Sequence, residues 1–162
     1  MISAFSLQHL TNGKKSAIIK EKKLWRYFVM LKAAENFVKH LKASDLTCSV
    51  DDRGETVIVD FPYKGKVTKC VFSGEDGKYL SFYLVYEHIP DEKVADIIFL
   101  CNKFNAEYKW VTYYVDSDND LLIHDDAIVS PDGSADEAFE LLIRILKIAE
   151  DLKPAVMKTL YA

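Results

Sequence analysis

Three aspartates at alternate positions form the arrangement in this sequence that most resembles a metal site. Asp116, Asp118 and Asp120 make a DxDxD string of the kind that opens a calcium-binding loop. Such a loop also needs a glycine at its sixth position and a glutamate at its twelfth, where this chain has Leu121 and Ala127. The same residues suit a hairpin turn, because aspartate and asparagine tolerate positive φ. We therefore predict a turn there, with no bound metal and no other cofactor.

A second candidate for chemistry is the run His124-Asp125-Asp126, which could act in acid–base catalysis or bind a metal. Successive side chains of a strand point to opposite faces, so we expect His124 and Asp125 to separate. Neither a GxSxG nucleophile motif nor a glycine-rich phosphate loop accompanies them. The sequence thus predicts no catalytic residue and no enzyme. An undetected enzyme or a small-ligand binder that uses this region stays open as an alternative.

Two asparagines, Asn102 and Asn105, stand at the end of a helix with apolar periodicity. Asparagine adopts the left-handed conformation that ends helices, so we predict that Asn105 is the C-terminal cap. Asn102 follows Ile98 by four residues at the edge of the apolar face. We expect its amide to be buried and to bond backbone groups where the helix meets the next strand. A structural role is favoured for both, and contact with a ligand is the alternative.

Aromatic residues on two predicted strands suggest a candidate interaction surface, consisting of Tyr83, Tyr86, Trp110, Tyr113 and Tyr114. Aromatic side chains combine apolar area with a polar group, as protein interfaces and base-stacking surfaces require. Strand parity divides the neighbourhood into two sets: Tyr83, Val85, Lys109, Val111 and Tyr113, and Phe82, Leu84, Tyr108, Trp110 and Tyr114. We expect one set to line the core and the other to meet a partner or water, and we predict a homodimer.

The elements that position these residues follow from hydrophobic periodicity and turn signals. The predicted order is α-β-β-β-β-α-β-β-α, an α+β fold with helices against an antiparallel sheet. The first helix is predicted over residues 24–42 and the third over residues 134–152, where Pro154 ends or kinks it. We divide the chain into a basic N-terminal arm over residues 1–22 and a single domain over residues 23–162.

Charge and composition narrow the classes of partner. Residues 1–26 contain six basic residues and one acidic residue, a net charge of +5, so the rest of the chain carries −9. An acidic body repels phosphate backbones, and we therefore expect no nucleic-acid partner. No apolar run approaches the roughly 20 residues that span a bilayer, and no secretory signal opens the chain. Three widely spaced cysteines suggest free thiols, and we expect a cytoplasmic protein.

One continuous segment carries a family pattern. The N-x-x-N helix exit of Asn102 and Asn105 is followed by a strand that ends in Asp116, an acidic turn over residues 118–121, a second strand that ends at Val129, and a C-terminal helix. This order resembles the YbjN-like family, described as putative bacterial sensory transduction regulators.

The resemblance implies a fold similar to that of class I type III secretion chaperones, which are small acidic cytosolic homodimers that bind an extended segment of another protein. The resemblance assigns no catalytic residue to this chain, and it identifies Asn102 and Asn105 only as positions of the family motif. We therefore predict a non-enzymatic protein-interaction or regulatory module with a protein partner. A secretion-type chaperone that binds an extended client segment is the second hypothesis.

Overall fold

The computed structural model describes residues 30–161, in which three helices cover one face of a six-stranded sheet. The helices are α1 (Lys32–Ala43), α2 (Val94–Glu107) and α3 (Ser134–Tyr161). The strands are β1 (Ser49–Asp52), β2 (Thr56–Tyr63), β3 (Lys66–Ser73), β4 (Tyr79–His88), β5 (Thr112–Val115) and β6 (Asp120–Ile128). Single 3₁₀ turns at Glu75–Gly77 and Asp91–Lys93 precede β4 and α2. The predicted α+β class and the predicted order of elements are confirmed.

The strands lie in the order β1-β2-β3-β4-β6-β5, and every neighbouring pair is antiparallel. The first four strands form a meander, as short turns favour. The chain then crosses through α2 to the far edge as β5 and returns as β6 between β4 and β5. Because β6 is antiparallel to both neighbours, β4 and β5 run parallel to each other. The order of the last two strands in the sheet is therefore reversed relative to the sequence.

Burial alternates along the strands, as a sheet covered on one face requires. On β4, Leu80, Phe82 and Leu84 are buried against the helices, whereas Tyr83 and Val85 point to the other face. On β5, Tyr113 is buried beside Ile123, and Tyr114 is on the other face. The two sets grouped by sequence parity are therefore mixed across the strands. Parity holds within one strand, and pairing between strands decides which parity is buried.

The first helix begins later than predicted. Leu31 has an extended ψ of 129°, and the helix starts at Lys32 instead of residue 24. The Cβ of Leu31 lies 3.1 Å from the position that a Cβ on Gly77 would occupy, so Leu31 packs closely against the turn before β4. The predicted helical residues 24–29 and the predicted arm over residues 1–22 lie outside the described residues.

The third helix does not end near Pro154. It continues to Tyr161, although an interior proline removes a hydrogen bond and costs about 3 kcal/mol. Leu152 and Val156, on either side of the proline, are both buried in the core. Packing of the last turns thus outweighs the local cost. In residues 30–161 no helix is long and apolar enough to cross a membrane.

Candidate functional site

The face of the sheet opposite the helices, here called the open face, is not covered by any helix of residues 30–161. Tyr79, Val85, Val67 and Ile128 project from it with 48%, 47%, 45% and 78% of their surfaces exposed. Its side chains come from alternate positions of five strands: Ile58, Asp60, Val67, Lys69, Val71, Tyr79, Ser81, Tyr83, Val85, Thr112, Tyr114, Leu122, His124, Asp126 and Ile128. Solvent-exposed apolar groups set side by side on a sheet are typical of contact surfaces.

One end of the open face carries an apolar group that we call the bulge-end cluster, made of Val67, Val85, Leu122 and Tyr114. Val85 pairs with Leu122, and Leu122 pairs with Tyr114, so their side chains lie in one row. Val67 of β3 lies beside Val85 of β4, because on these antiparallel strands Val67 directly precedes, and Val85 directly follows, the paired residues Thr68 and Leu84. The cluster contains no charged side chain.

Polar and aromatic side chains occupy the middle of the open face. The rings of Tyr83 and His124 stack with centroids 4.6 Å apart, and the Tyr114 ring meets His124 edge-on at 6.5 Å. The Nε2 atom of His124 lies 3.2 Å from Oδ1 of Asp126, and the Ser81 hydroxyl donates to the same oxygen. On the neighbouring strands, Lys69 Nζ lies 3.2 Å from Oδ1 of Asp60. These contacts order the centre of the face.

The predicted interaction surface is only partly exposed. Tyr83 and Tyr114 lie on the open face. Tyr86 and Tyr113 are in the core, which corrects their placement. Tyr86 keeps the parity of the buried residues Phe82 and Leu84 on β4, and its burial raises the pKa of the phenol to about 12. Tyr113 is buried beside Phe104, whose ring centroid is 5.5 Å away, and burial raises the pKa of its phenol as well.

Trp110 is exposed, but it does not belong to the open face. It lies in the connection between α2 and β5 with 66% of its surface exposed and a φ of 79°, which is unusual for a bulky residue. The Arg144 guanidinium of α3 lies 5.2 Å from the centre of its ring, a cation–π contact. Trp110 therefore joins the helix side of the molecule.

Asn105 closes one edge of the sheet. Its Oδ1 accepts the backbone N–H of Tyr113 at 2.8 Å, and its Nδ2 donates to the Tyr113 carbonyl at 3.0 Å. In an antiparallel pair every second residue directs both backbone groups away from its partner strand. Tyr113 therefore presents its N–H and C=O at the free edge of β5, and the side-chain amide satisfies both, as the backbone of another strand would.

The predicted C-cap role of Asn105 is wrong. Helix α2 continues to Glu107, and its C-cap is Tyr108 with an extended φ of −97° and ψ of 134°. The expected burial of Asn102 is also not found, since Asn102 is exposed. No hydrogen bond of its side chain is found within residues 30–161. One asparagine of the motif thus has a clear structural contact, and the other faces solvent.

The run His124-Asp125-Asp126 is divided between the two faces, as strand parity predicts. His124 and Asp126 lie on the open face, and Asp125 is buried on the helix side. Burial raises the pKa of Asp125 above its ordinary range. The Asp126 carboxylate raises it further, whereas a hydrogen bond from the Asp126 backbone N–H and the charges of His124 and Arg144 lower it. The three side chains therefore do not converge on one site.

The DxDxD string forms the predicted turn between β5 and β6. Oδ1 of Asp116 accepts the backbone N–H groups of Asp118 and Asp120, both at 2.9 Å, and Asn119 has a φ of 61°. Within the described part of the chain, no three histidine, cysteine or acidic side chains are arranged as metal ligands.

Sequence reasoning missed two features of this surface. The closure of the β5 edge by Asn105 depends on a strand that begins seven residues later, whereas the burial of Tyr86 follows the parity of Phe82 and Leu84 on its own strand. For Asn105, its position near the end of a helix that leads into a strand was the available signal, but it indicated a cap equally well.

Comparison with known proteins agrees with this architecture. A family model described as "YbjN: Putative bacterial sensory transduction regulator" matches residues 33–156. No curated protein sequence matches the chain. Among solved structures, the chain is similar to one titled "Crystal structure of YbjN, a putative transcription regulator from E. coli". The TM-score is 0.52 at 13% identity, over 75% of this chain and 92% of that one. At this identity the similarity shows the fold alone.

Proposed function

The chain belongs to the YbjN family, and we propose that it is a regulatory module that acts by binding protein and catalyses no reaction. The open face is the proposed contact surface. The observation that carries the proposal is the bulge-end cluster, a row across the sheet in which Val67 and Val85 are exposed, Leu122 is buried and Tyr114 is exposed beyond it. The predicted sensory transduction role rests on the family description, and we propose it on that ground.

We propose a second copy of this chain as the partner at the bulge-end cluster. A two-fold contact sets the same patch against itself, which is favourable when the patch is apolar and uncharged. Charged groups border the patch: Lys66 and Glu87 form an ion pair with Nζ and Oε2 3.5 Å apart, and the Asp116 carboxylate acts on the Tyr114 phenol. The proposed contact is therefore the uncharged row itself, with these groups at its border.

The arrangement of titratable groups supports a binding role over catalysis. His124 and Asp126 lie on a flat sheet surface, and Asp125 is on the opposite side. We also propose that the protein works in the cytoplasm, since Cys48, Cys70 and Cys101 are free thiols. The acidic body of the chain favours a protein partner over nucleic acid.

Light scattering coupled to gel filtration tests the dimer. The wild-type chain should reach twice the 18.5 kDa mass of one chain at micromolar concentration. Val85→Glu and Val67→Glu should each shift it to a monomer, because a buried unpaired charge opposes association. The control Ile143→Glu places the same charge at an exposed apolar position of α3 and should stay dimeric. A wild-type monomer at every concentration would remove the second copy as partner.

A further inference from the structure

The opposite end of the open face lies beside the point at which the described chain begins. Leu31 packs against the turn that contains Gly77, two residues before Tyr79. Tyr79 pairs with Ile128 on β6, and the Val129 N–H donates to the Lys78 carbonyl at 2.9 Å. Leu31 lies on the helix side of this end of the sheet, where Ala33 and Phe72 also approach Gly77, so a segment that joins Leu31 to the side chains of Tyr79 and Ile128 has to pass around the end of the sheet.

A shallow depression of about 230 Å³ lies at this end, lined by Tyr79, Leu80, Ser81, Asp126, Ala127 and Ile128. Its rim consists of the two most exposed apolar side chains of the open face. One face of the Tyr79 ring is partly covered by the Lys78 ammonium, 5.2 Å from the ring centre. The depression is thus an apolar site with one carboxylate, that of Asp126, at its border.

The residues that precede the described part of the chain are strongly apolar in sequence. Residues 23–29 read Lys-Leu-Trp-Arg-Tyr-Phe-Val, in which five of seven side chains are apolar or aromatic. If α1 extended through them, they would continue its buried face. The extended backbone of Leu31 interrupts that continuity, and burial of apolar side chains against another apolar surface is favourable.

Charge also favours contact between the upstream residues and this end of the sheet. The end of the sheet around Tyr79 is rich in acidic side chains: Asp52, Glu55, Glu75, Asp76, Asp126 and Asp132. Three basic side chains lie among them: Lys32, Arg53 and Lys78. Residues 1–26 carry a net charge of +5. Opposite charges on the two surfaces attract at short range.

We propose that residues 23–29 of the same chain pack across the Tyr79–Ile128 depression, with Trp25 among the side chains that fill it and Arg26 facing the acidic end. Seven extended residues reach up to about 23 Å, well beyond the spacing of about 5 Å between neighbouring strands. Tyr79 and Val85 are six residues apart on β4, about 20 Å. The segment therefore leaves the bulge-end cluster free, and this proposal stands independently of the dimer.

The two tryptophans of the chain, Trp25 and Trp110, allow a direct test. In the full-length Trp110→Phe parent, Trp25 is the sole fluorescent indole. We expect its emission to lie at the short wavelengths of a buried indole, with acrylamide quenching several-fold weaker than for free tryptophan. Dilution should leave the emission unchanged, because the contact is within one chain. Ile128→Glu and Tyr79→Ala in this parent should each move the emission to longer wavelength and raise the quenching.

The control Ile143→Glu in the same parent should change neither quantity. Ile128 has 78% of its surface exposed, so its replacement leaves the core intact, and circular dichroism should confirm this. Solvent-exposed emission of Trp25 in the parent would overturn the proposal. So would buried emission that neither variant alters, because Trp25 would then be packed elsewhere. Emission that shifts on dilution would assign the site to a second copy instead. Light scattering of the same samples reports the dimer separately.

Discussion

The two edges of the sheet avoid exposed pairing groups in different ways. At the β5 edge, the amide of Asn105 occupies the free N–H and C=O of Tyr113, and α2 packs alongside. At the β1 edge, no hydrogen bond from the described residues satisfies the free side of the strand. Instead β1 has only four residues, two of them aspartates. Shortness and charge both oppose edge-to-edge association.

The difference between the two edges shows where the fold depends on a single contact. A charged edge tolerates change, because its backbone groups remain hydrated. A covered edge depends on its covering group, since partly buried backbone groups need partners. The asparagine that closes β5 is therefore expected to matter more than any residue of β1.

Of the variants that test this comparison, Asn105→Ala should lower the stability of the fold most. It leaves the N–H and C=O of Tyr113 without their partners, and we expect a loss of roughly 2–4 kcal/mol in the free energy of unfolding. Urea denaturation measures it. The matched control is Asn102→Ala, three residues earlier and exposed, which should change stability by less than about 0.5 kcal/mol. Equal losses for both variants would show that helix α2, and not the edge, is the sensitive element.

The variant Asp125→Asn tests whether an acidic side chain buried beside the covered edge lowers the stability of the fold. Asp125 lies on β6, the strand that pairs with β5, and its raised pKa means that ionisation opposes folding. Its contribution to stability is therefore complete below the unfolded pKa of about 3.9, and it is lost as pH rises through the folded value. We expect Asn to raise the melting temperature at pH 7 and to make little difference at pH 3. A variant that melts lower at pH 7 would contradict this interpretation.

Replacement of Asp51 and Asp52 by threonine should have the smallest effect on folding. Both side chains are exposed, although Asp51 pairs with Arg53 and Asp52 Oδ1 accepts the Gly54 N–H at 2.9 Å, so the free energy of unfolding should change by no more than about 1 kcal/mol apiece. Self-association should increase, because an uncharged edge strand accepts another strand. Sedimentation velocity at rising protein concentration measures this, with Asp118→Thr in the β5–β6 turn as the control. Unchanged sedimentation would show that strand length alone protects the β1 edge.

Local pattern accounts for much of the fold. Alternation along β4 predicts that Phe82 and Leu84 share a face and that Tyr83 and Val85 share the other, as observed. Turn chemistry predicts the break at Asp116–Asp120. The candidate site was predicted less well, because pairing between strands decides the burial of Tyr113, and Trp110 lies in a connection outside the sheet. Tyr86 was misplaced against the parity of its own strand.

The sequence by itself determined the type and order of the elements, because hydrophobic period and turn residues act over a few positions of the chain. Only the tertiary structure decided that β6 lies between β4 and β5, and that Asn105 covers the edge instead of ending α2. Strand pairing joins residues far apart in sequence. A one-residue change in register moves a side chain to the other face, so periodicity alone does not specify which face is buried.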